Sequence, residues 1–257
     1  MCPAEVEKEK KEAKNKLAFF LPNTFTALNI ACGFGSIIFS IHGEFYKACM
    51  ILILGAIFDS VDGRVARLTG TQSPFGEQFD SLSDAISFGF APAMLIYQKF
   101  LSGTGRLGLA ISFIYLLCGV LRLARFNANI DRVSSHYFQG LPIPGGAMAV
   151  IGYVLFSIEF PVLDSLLPVT IAYSLIFSLL MISNIPFFSF KKTTWVKEHK
   201  KASLFVIFTI ISLIFVYEQL MILVIMLFYV AACLGYFVLH RGDFADIFEW
   251  KNEKEAE

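Results

Sequence analysis

Charge is scarce in this sequence. Only 16% of its 257 residues are Asp, Glu, Lys or Arg, against about 25% in an ordinary soluble domain. Basic and acidic residues balance at 21 each. The basic excess of a nucleic-acid binder is therefore missing, and no nucleic-acid partner is expected. Cysteine and histidine are few and isolated, at five and four. Cys32, Cys49, Cys118 and Cys233 sit inside apolar runs, which excludes a zinc-type cluster or a disulfide scaffold and leaves packing thiols. Residues 5–16, EVEKEKKEAKNK, mix both signs with no apolar core close behind a short basic start, so no cleaved signal peptide is expected.

Apolar residues are abundant instead: 56% of the chain is hydrophobic and 28 residues are Phe. They come in long unbroken runs, not in helical stripes, which excludes a soluble globular enzyme. About 20 apolar residues cross about 30 Å of hydrocarbon. Eight such spans are predicted, near 23–41, 45–62, 78–100, 106–126, 145–160, 163–186, 202–217 and 219–239. The expected fold is all-α, a polytopic membrane helix bundle. Residues 1–22 would form a cytoplasmic or interfacial helix ending at Leu21-Pro22. Residues 23–239 would form the membrane domain, and 240–257 a polar cytoplasmic tail.

Basic residues orient the spans. Of the 21, all but Lys47, Lys99 and Arg106 fall in the N-terminal segment or after spans two, four, six and eight. That asymmetry predicts an even number of spans with both termini in the cytoplasm. The lysine-rich stretch 191–201 is expected to meet anionic headgroups of membrane lipids.

The chemistry-bearing stretch is 58–84, FDSVDGRVARLTGTQSPFGEQFDSLSD. Asp59 and Asp62 are spaced i, i+3, and Asp80 and Asp84 i, i+4, so each pair lies on one helix face. The short connection with Gly70, Ser73 and Pro74 makes spans two and three antiparallel neighbours. All four carboxylates can then converge at one depth. Their repulsion calls either for protonation or for a divalent cation. All-oxygen ligation without nearby His or Cys favours a hard ion, Mg²⁺ or Mn²⁺, with Ca²⁺ as another possible occupant. The plainer alternative is a set of helix-tying ion pairs with Arg64 and Arg67, but two arginines cannot neutralise four aspartates. Gly63 and Gly76 permit close approach of a ligand to the backbone or of helix to helix. Arg67 can bind a phosphate oxygen or snorkel to headgroups. Asn23 and Thr26, at the predicted start of span one, read equally well as an N-cap.

The pattern D-x-x-D-G-x-x-A-R-x8-G-x3-D-x3-D runs without a gap from Asp59 to Asp84. It resembles the signature of the CDP-alcohol phosphotransferases, integral membrane enzymes of phospholipid synthesis. The resemblance implies that Asp59, Asp62, Asp80 and Asp84 are ligands of a divalent metal centre and that Asp84 is also the catalytic general base. It implies that Gly63, Arg67 and Ser73 contact the cytidine nucleotide, together with Asn23 and Thr26. It also implies a homodimer.

The acceptor alcohol is read from other stretches. SDAISFGFAPA (83–93), RLARFN (122–127) and GLPIPGGA (140–147) resemble the bacterial and archaeal phosphatidylserine-forming branch. That branch implies CDP-diacylglycerol and L-serine as substrates, in the inner membrane of a prokaryote, with the active site facing the cytoplasm. Arg122 and Arg125 are i, i+3 and suited to a carboxylate or diphosphate, or equally to positive-inside anchoring. Other acceptors, glycerol 3-phosphate or inositol phosphate, remain alternatives. Intramembrane acids also mark cation transporters, but here the acids gather at one depth, not along a route through the membrane.

Overall fold

The computed structural model describes residues 3–129, 137–188, 208, 209, 212, 213 and 216–239, with side chains from Phe20 onward, Tyr137 apart. The chain divides into two compact units, Met1–Lys99 and Phe100–Glu257.

The first unit holds α1 (Pro3–Ile41), α2 (Phe45–Thr69), α3 (Pro74–Asp84) and α4 (Ala91–Ile96). The first two helices are joined at Gly43, whose φ of 76° suits a residue without Cβ. Glu44 N–H bonds back to the Phe39 carbonyl across that turn. α2 ends at Gly70, left-handed at φ 64°, whose N–H bonds to Ala66 O, a standard helix stop. Three residues on, Ser73 caps α3: its Oγ accepts from Gly76 N at 3.1 Å, and Pro74 opens the helix. This tight connection turns the chain so that Asp80 of α3 comes together with Asp59 and Asp62 of α2, while both helices pack on α1.

Two features of this unit differ from the sequence expectation. α1 runs unbroken through Pro22. Thr26 Oγ1 lies 3.2 Å from the Pro22 carbonyl one turn back. Span three is not a uniform helix either. π-helical turns at Ala85–Phe90 and Tyr97–Leu101 flank α4. Pro92 lies at the start of α4, where it lacks an N–H and its ring crowds the carbonyl four residues back. The wider turn before it accommodates that ring, and it begins directly after Asp84. The unit packs through small residues. A Cβ on Gly33 would come 2.9 Å from Ser87 Cα, and one on Gly55 would come 3.0 Å from both Asn29 Oδ1 and Cys32 Cβ.

The second unit holds α5 (Arg106–Ala128), α6 (Ile143–Glu159), α7 (Leu167–Ile182) and α8 (Glu218–Leu239). Its core is α6, where Ala149, Val150, Ile151, Val154 and Leu155 are all fully buried. A helix apolar all round belongs in a core. Gly152 lets the α8 backbone at Leu223 approach closely. Tyr153 and Thr170 bond through their hydroxyls at 2.8 Å, and Tyr173 donates to the Ala149 carbonyl. The all-α expectation needs one correction. β1 (Tyr137–Gln139) and β2 (Pro186–Phe188) form an antiparallel two-stranded sheet, with Phe138 opposite Phe187. Each strand has three residues and lies beside a helix end, too short to leave a periodic signal in the sequence.

Three helices among the described residues are long and apolar enough to cross a membrane: Phe20–Ile41, Arg106–Ala128 and Glu218–Leu239. Their outward faces are apolar. On α5, Leu109, Phe113 and Leu117 are all exposed, and on α8 Phe228 is 75% exposed. Contiguous exposure of this kind suits lipid contact. α2 is long enough, but its second half carries Asp59, Asp62, Arg64 and Arg67. α7, predicted as 163–186, has only 16 residues, about 24 Å of helix. Pro168 starts it late, and Ser183 already turns extended. Most of span seven, the lysine-rich stretch 191–201 and the C-terminal tail lie outside the described residues.

Candidate metal and nucleotide site

The carboxylates converge as their spacing predicts. One oxygen each from Asp59, Asp62 and Asp80 lies within 4.8 Å of the others. Asp84 joins them, its carboxyl at hydrogen-bonding distance from that of Asp59. α2 supplies the first two and α3 the others, and the Gly70–Ser73 connection sets their common level. Asp62 is the least exposed, at 3%.

Two ionised carboxylates 4.8 Å apart repel by about 3–4 kcal/mol at an effective dielectric near 20. Among the described residues, no ion pair joins Arg64 or Arg67 to Asp59, Asp62 or Asp80. The helix-tying alternative therefore lacks its bonds. Arg67 lies back along its own helix, its Nη1 3.5 Å from where a Gly63 Cβ would sit. Asp80 Oδ1 is buried and has no hydrogen-bond partner. A hard cation with oxygen ligands at about 2.0–2.6 Å holds those ligands roughly 4–5 Å apart when they face one another across it. The observed spread fits. The donor set, all oxygen with no nitrogen or sulfur, also fits Mg²⁺, Mn²⁺ or Ca²⁺.

α1 completes the cup. Thr26, 3% exposed, donates its Oγ1–H at 2.9 Å to Asp62 Oδ2. The N-cap reading of Asn23 and Thr26 fails, because both lie well inside a continuous helix. Asn23 Oδ1 lies 3.7 Å from where a Gly76 Cβ would sit, beside the Ser73 hydroxyl. The structure thus gathers Asn23, Ser73 and Gly76 on one side of the cup and Thr26 and Asp62 on another. Ser73 has a structural task in addition to the expected one, since its Oγ caps α3.

Two serines that carry no signal of their own in the sequence fix α3 and the π-helical turn after it to α1. Ser83 Oγ donates to the Thr26 carbonyl at 3.3 Å, and Ser87 Oγ to the Asn29 carbonyl at 2.9 Å. Asn29 itself is fully buried. The available signal was its position, a polar residue within an apolar run, one turn beyond Thr26.

The two arginines of α5 separate in role. Arg122 is buried, 6% exposed, with its guanidinium 5.3 Å from the Phe126 ring centroid and 6.0 Å from that of Phe138. Arg125 clamps the end of α7. Its Nη1 donates to Ile182 O and Asn184 Oδ1, and its Nη2 to the carbonyls of Gln139, Met181 and Ser183. Those of Met181, Ile182 and Ser183 are carbonyls at the end of α7 with no partner inside the helix, and a cation suits them. The expectation that Arg125 holds the acceptor anion gives way here, because both terminal nitrogens are committed to the chain itself. Gly140, at φ 75°, lies against the Met181 carbonyl and the same guanidinium, where a side chain would not fit.

Comparison with known proteins agrees with this geometry. The CDP-alcohol phosphatidyltransferase family profile matches residues 19–179. A Helicobacter pylori CDP-diacylglycerol–serine O-phosphatidyltransferase is 38% identical over 200 residues, covering 77% of this chain and 82% of that protein. A Methanocaldococcus jannaschii protein of the same name is 43% identical over 162 residues, 63% of this chain and 70% of its own length. An archaetidylserine synthase from Methanothermobacter thermautotrophicus is 42% identical over 137 residues, 52% of this chain and 58% of its own length. With the matched segment taking in the whole carboxylate cup and the helices that build it, this chain belongs to the CDP-alcohol phosphatidyltransferase family.

Proposed function

We propose that the protein transfers the phosphatidyl group of CDP-diacylglycerol to the hydroxyl of L-serine, giving phosphatidylserine and CMP. The observation that carries this reading is the cup of Asp59, Asp62, Asp80 and Asp84, in a chain whose relatives bear the serine-transferase name. Asp59, Asp62 and Asp80 would hold the divalent cation, with Asp84 at its edge. When bound, that cation neutralises the diphosphate and the charge on departing CMP.

The chain's own residues supply the rest. Asp84 takes the proton from the serine hydroxyl as the serine oxygen bonds to the lipid-side phosphorus. The bond from that phosphorus to the CMP oxygen breaks, and CMP leaves with the electron pair. Thr26 fixes the orientation of Asp62 through its hydrogen bond. Asn23, Gly63, Arg67 and Ser73 form the nucleotide side of the site. Gly63 leaves the backbone open there, and Arg67 offers a cation to a phosphate oxygen. Arg122 is assigned to the serine carboxylate or a lipid phosphate.

The wider setting belongs to the same reading: eight spans in a prokaryotic inner membrane, both termini and the carboxylate cup on the cytoplasmic side, and a homodimer. The distribution of basic residues supports the orientation. Purified protein supplied with CDP-diacylglycerol and Mg²⁺ or Mn²⁺ should release CMP with serine, and not with glycerol 3-phosphate or inositol phosphate. Release with glycerol 3-phosphate alone would overturn the acceptor. Gradient-driven ion uptake by proteoliposomes, with no CMP release, would overturn the transferase reading.

A further inference from the structure

Asn29 lies in the interior of α1 with no exposed surface, and both its Nδ2 and its Oδ1 are without hydrogen-bond partners. A buried carboxamide left unsatisfied is costly and rare in folded proteins. An apolar residue would suit a position that served packing alone. The surroundings are small: Gly55 on α2, against which Oδ1 rests, and Cys32 on the next turn of α1. The main chain is pinned as well, since the Asn29 carbonyl accepts from Ser87.

The register shows what the carboxamide is level with. α1 and α2 run antiparallel, and Thr26 meets Asp62. One turn along α1 reaches Asn29, and one turn back along α2 reaches Asp59, with Gly55 one turn deeper. On α3 and the π-helical turn after it, Ser83 bonds at Thr26 and Ser87 at Asn29, and Asp84 lies between those two serines in the chain. The carboxamide, resting on Gly55, therefore lies at the base of the cup, about one helical turn beneath Asp59 and within reach of one bridging water. It is neutral, so it adds no charge to the cluster. Its N–H groups suit a carboxylate, and its oxygen suits a water.

We infer that Asn29 is a positioning residue of the metal centre: its carboxamide, through one buried water, orients Asp59 and Asp84 for the cation. This rests on the carboxylate cup holding a divalent metal. Outer hydrogen bonds to metal-ligating carboxylates are worth about 10- to 100-fold in metal affinity when removed.

The test compares Mn²⁺ binding by the purified, detergent-solubilised full chain with that of Asn29→Leu and Asn29→Ala. Free Mn²⁺ is followed by its electron paramagnetic resonance signal, and thermal unfolding is recorded in chelator. Asn29→Leu keeps the branched shape and removes the unsatisfied amide, so its stability in chelator should be equal or higher. Its Mn²⁺ affinity should fall by about tenfold or more. Asn29→Ala should show the same loss of affinity with somewhat lower stability, and it serves as the readout if leucine prevents folding. Mn²⁺ affinity within twofold of wild type in either folded variant overturns the role of Asn29. Absence of Mn²⁺ binding by the wild-type protein overturns the metal-site reading itself, a distinct result. Loss of folding in both variants would make Asn29 a purely structural residue and overturn the inference as well.

Discussion

Replacing Arg125 with lysine keeps the charge and removes the planar fork. In the native protein the fork reaches four backbone carbonyls, those of Gln139, Met181, Ile182 and Ser183, and the Asn184 side chain. It ties the end of α7 to the chain just before Gly140. A lysine ammonium has three donors on a flexible stem and cannot span the same set. Hydrogen bonds to a charged group are each worth about 1.5–3 kcal/mol. Part of the set would be rebuilt by lysine or by water, because Arg125 is only partly buried. A net loss of about 2–4 kcal/mol is therefore expected. That is large against the few kcal/mol that separate a marginally stable protein from its unfolded state. The assay is thermal unfolding in a fixed detergent, paired with steady-state CMP release at varied serine. Arg125→Lys should unfold several degrees lower, while the folded fraction keeps a KM for serine close to wild type. A variant of unchanged stability with a KM for serine raised tenfold would refute this. It would return Arg125 to the acceptor site that the sequence spacing suggested.

Chelator should abolish activity and Mg²⁺ or Mn²⁺ should restore it, and Asp59→Asn, Asp62→Asn and Asp80→Asn should each weaken Mn²⁺ binding. Full turnover in excess chelator would remove the metal from the reading. Gly33→Leu should destabilise the first unit by about 1–3 kcal/mol through overpacking, since even a Cβ there meets the Ser87 backbone; an unfolding temperature equal to wild type would contradict that contact. For topology, cysteines introduced near Glu44, Ser102 and Asp164 should react with an impermeant reagent from outside, and one at Thr71 should not. Labelling at Thr71 would invert the orientation.

The carboxylate cup was legible in the sequence because its geometry is local. Asp59 with Asp62, and Asp80 with Asp84, share helix faces by spacing alone. Gly70, Ser73 and Pro74 announce the turn that brings the two helices' carboxylates together. Long apolar runs likewise gave α1, α5, α6 and α8 to within a few residues, apart from the N-terminal extension of α1. Span six was misjudged because hydropathy does not register where Pro168 starts a helix or where Ser183 ends one.

Sequence by itself determined the membrane-type composition, the helical class and the convergence of four aspartates. Each of these follows from residue type and from repeats of three or four positions. Tertiary structure decided what depends on contacts between distant positions. Thr26 serves Asp62 across 36 residues and caps nothing, because α1 continues through Pro22. Arg125 spends its donors on carbonyls more than 50 residues away, which no local pattern encodes. The small sheet pairs Phe138 with Phe187 across the whole of α6 and α7. Asn29 reads in sequence as one polar residue in an apolar run. Only the packing of Gly55 and Ser87 around it brings its carboxamide to the floor of the cup, where burial gives an unpartnered polar group its meaning.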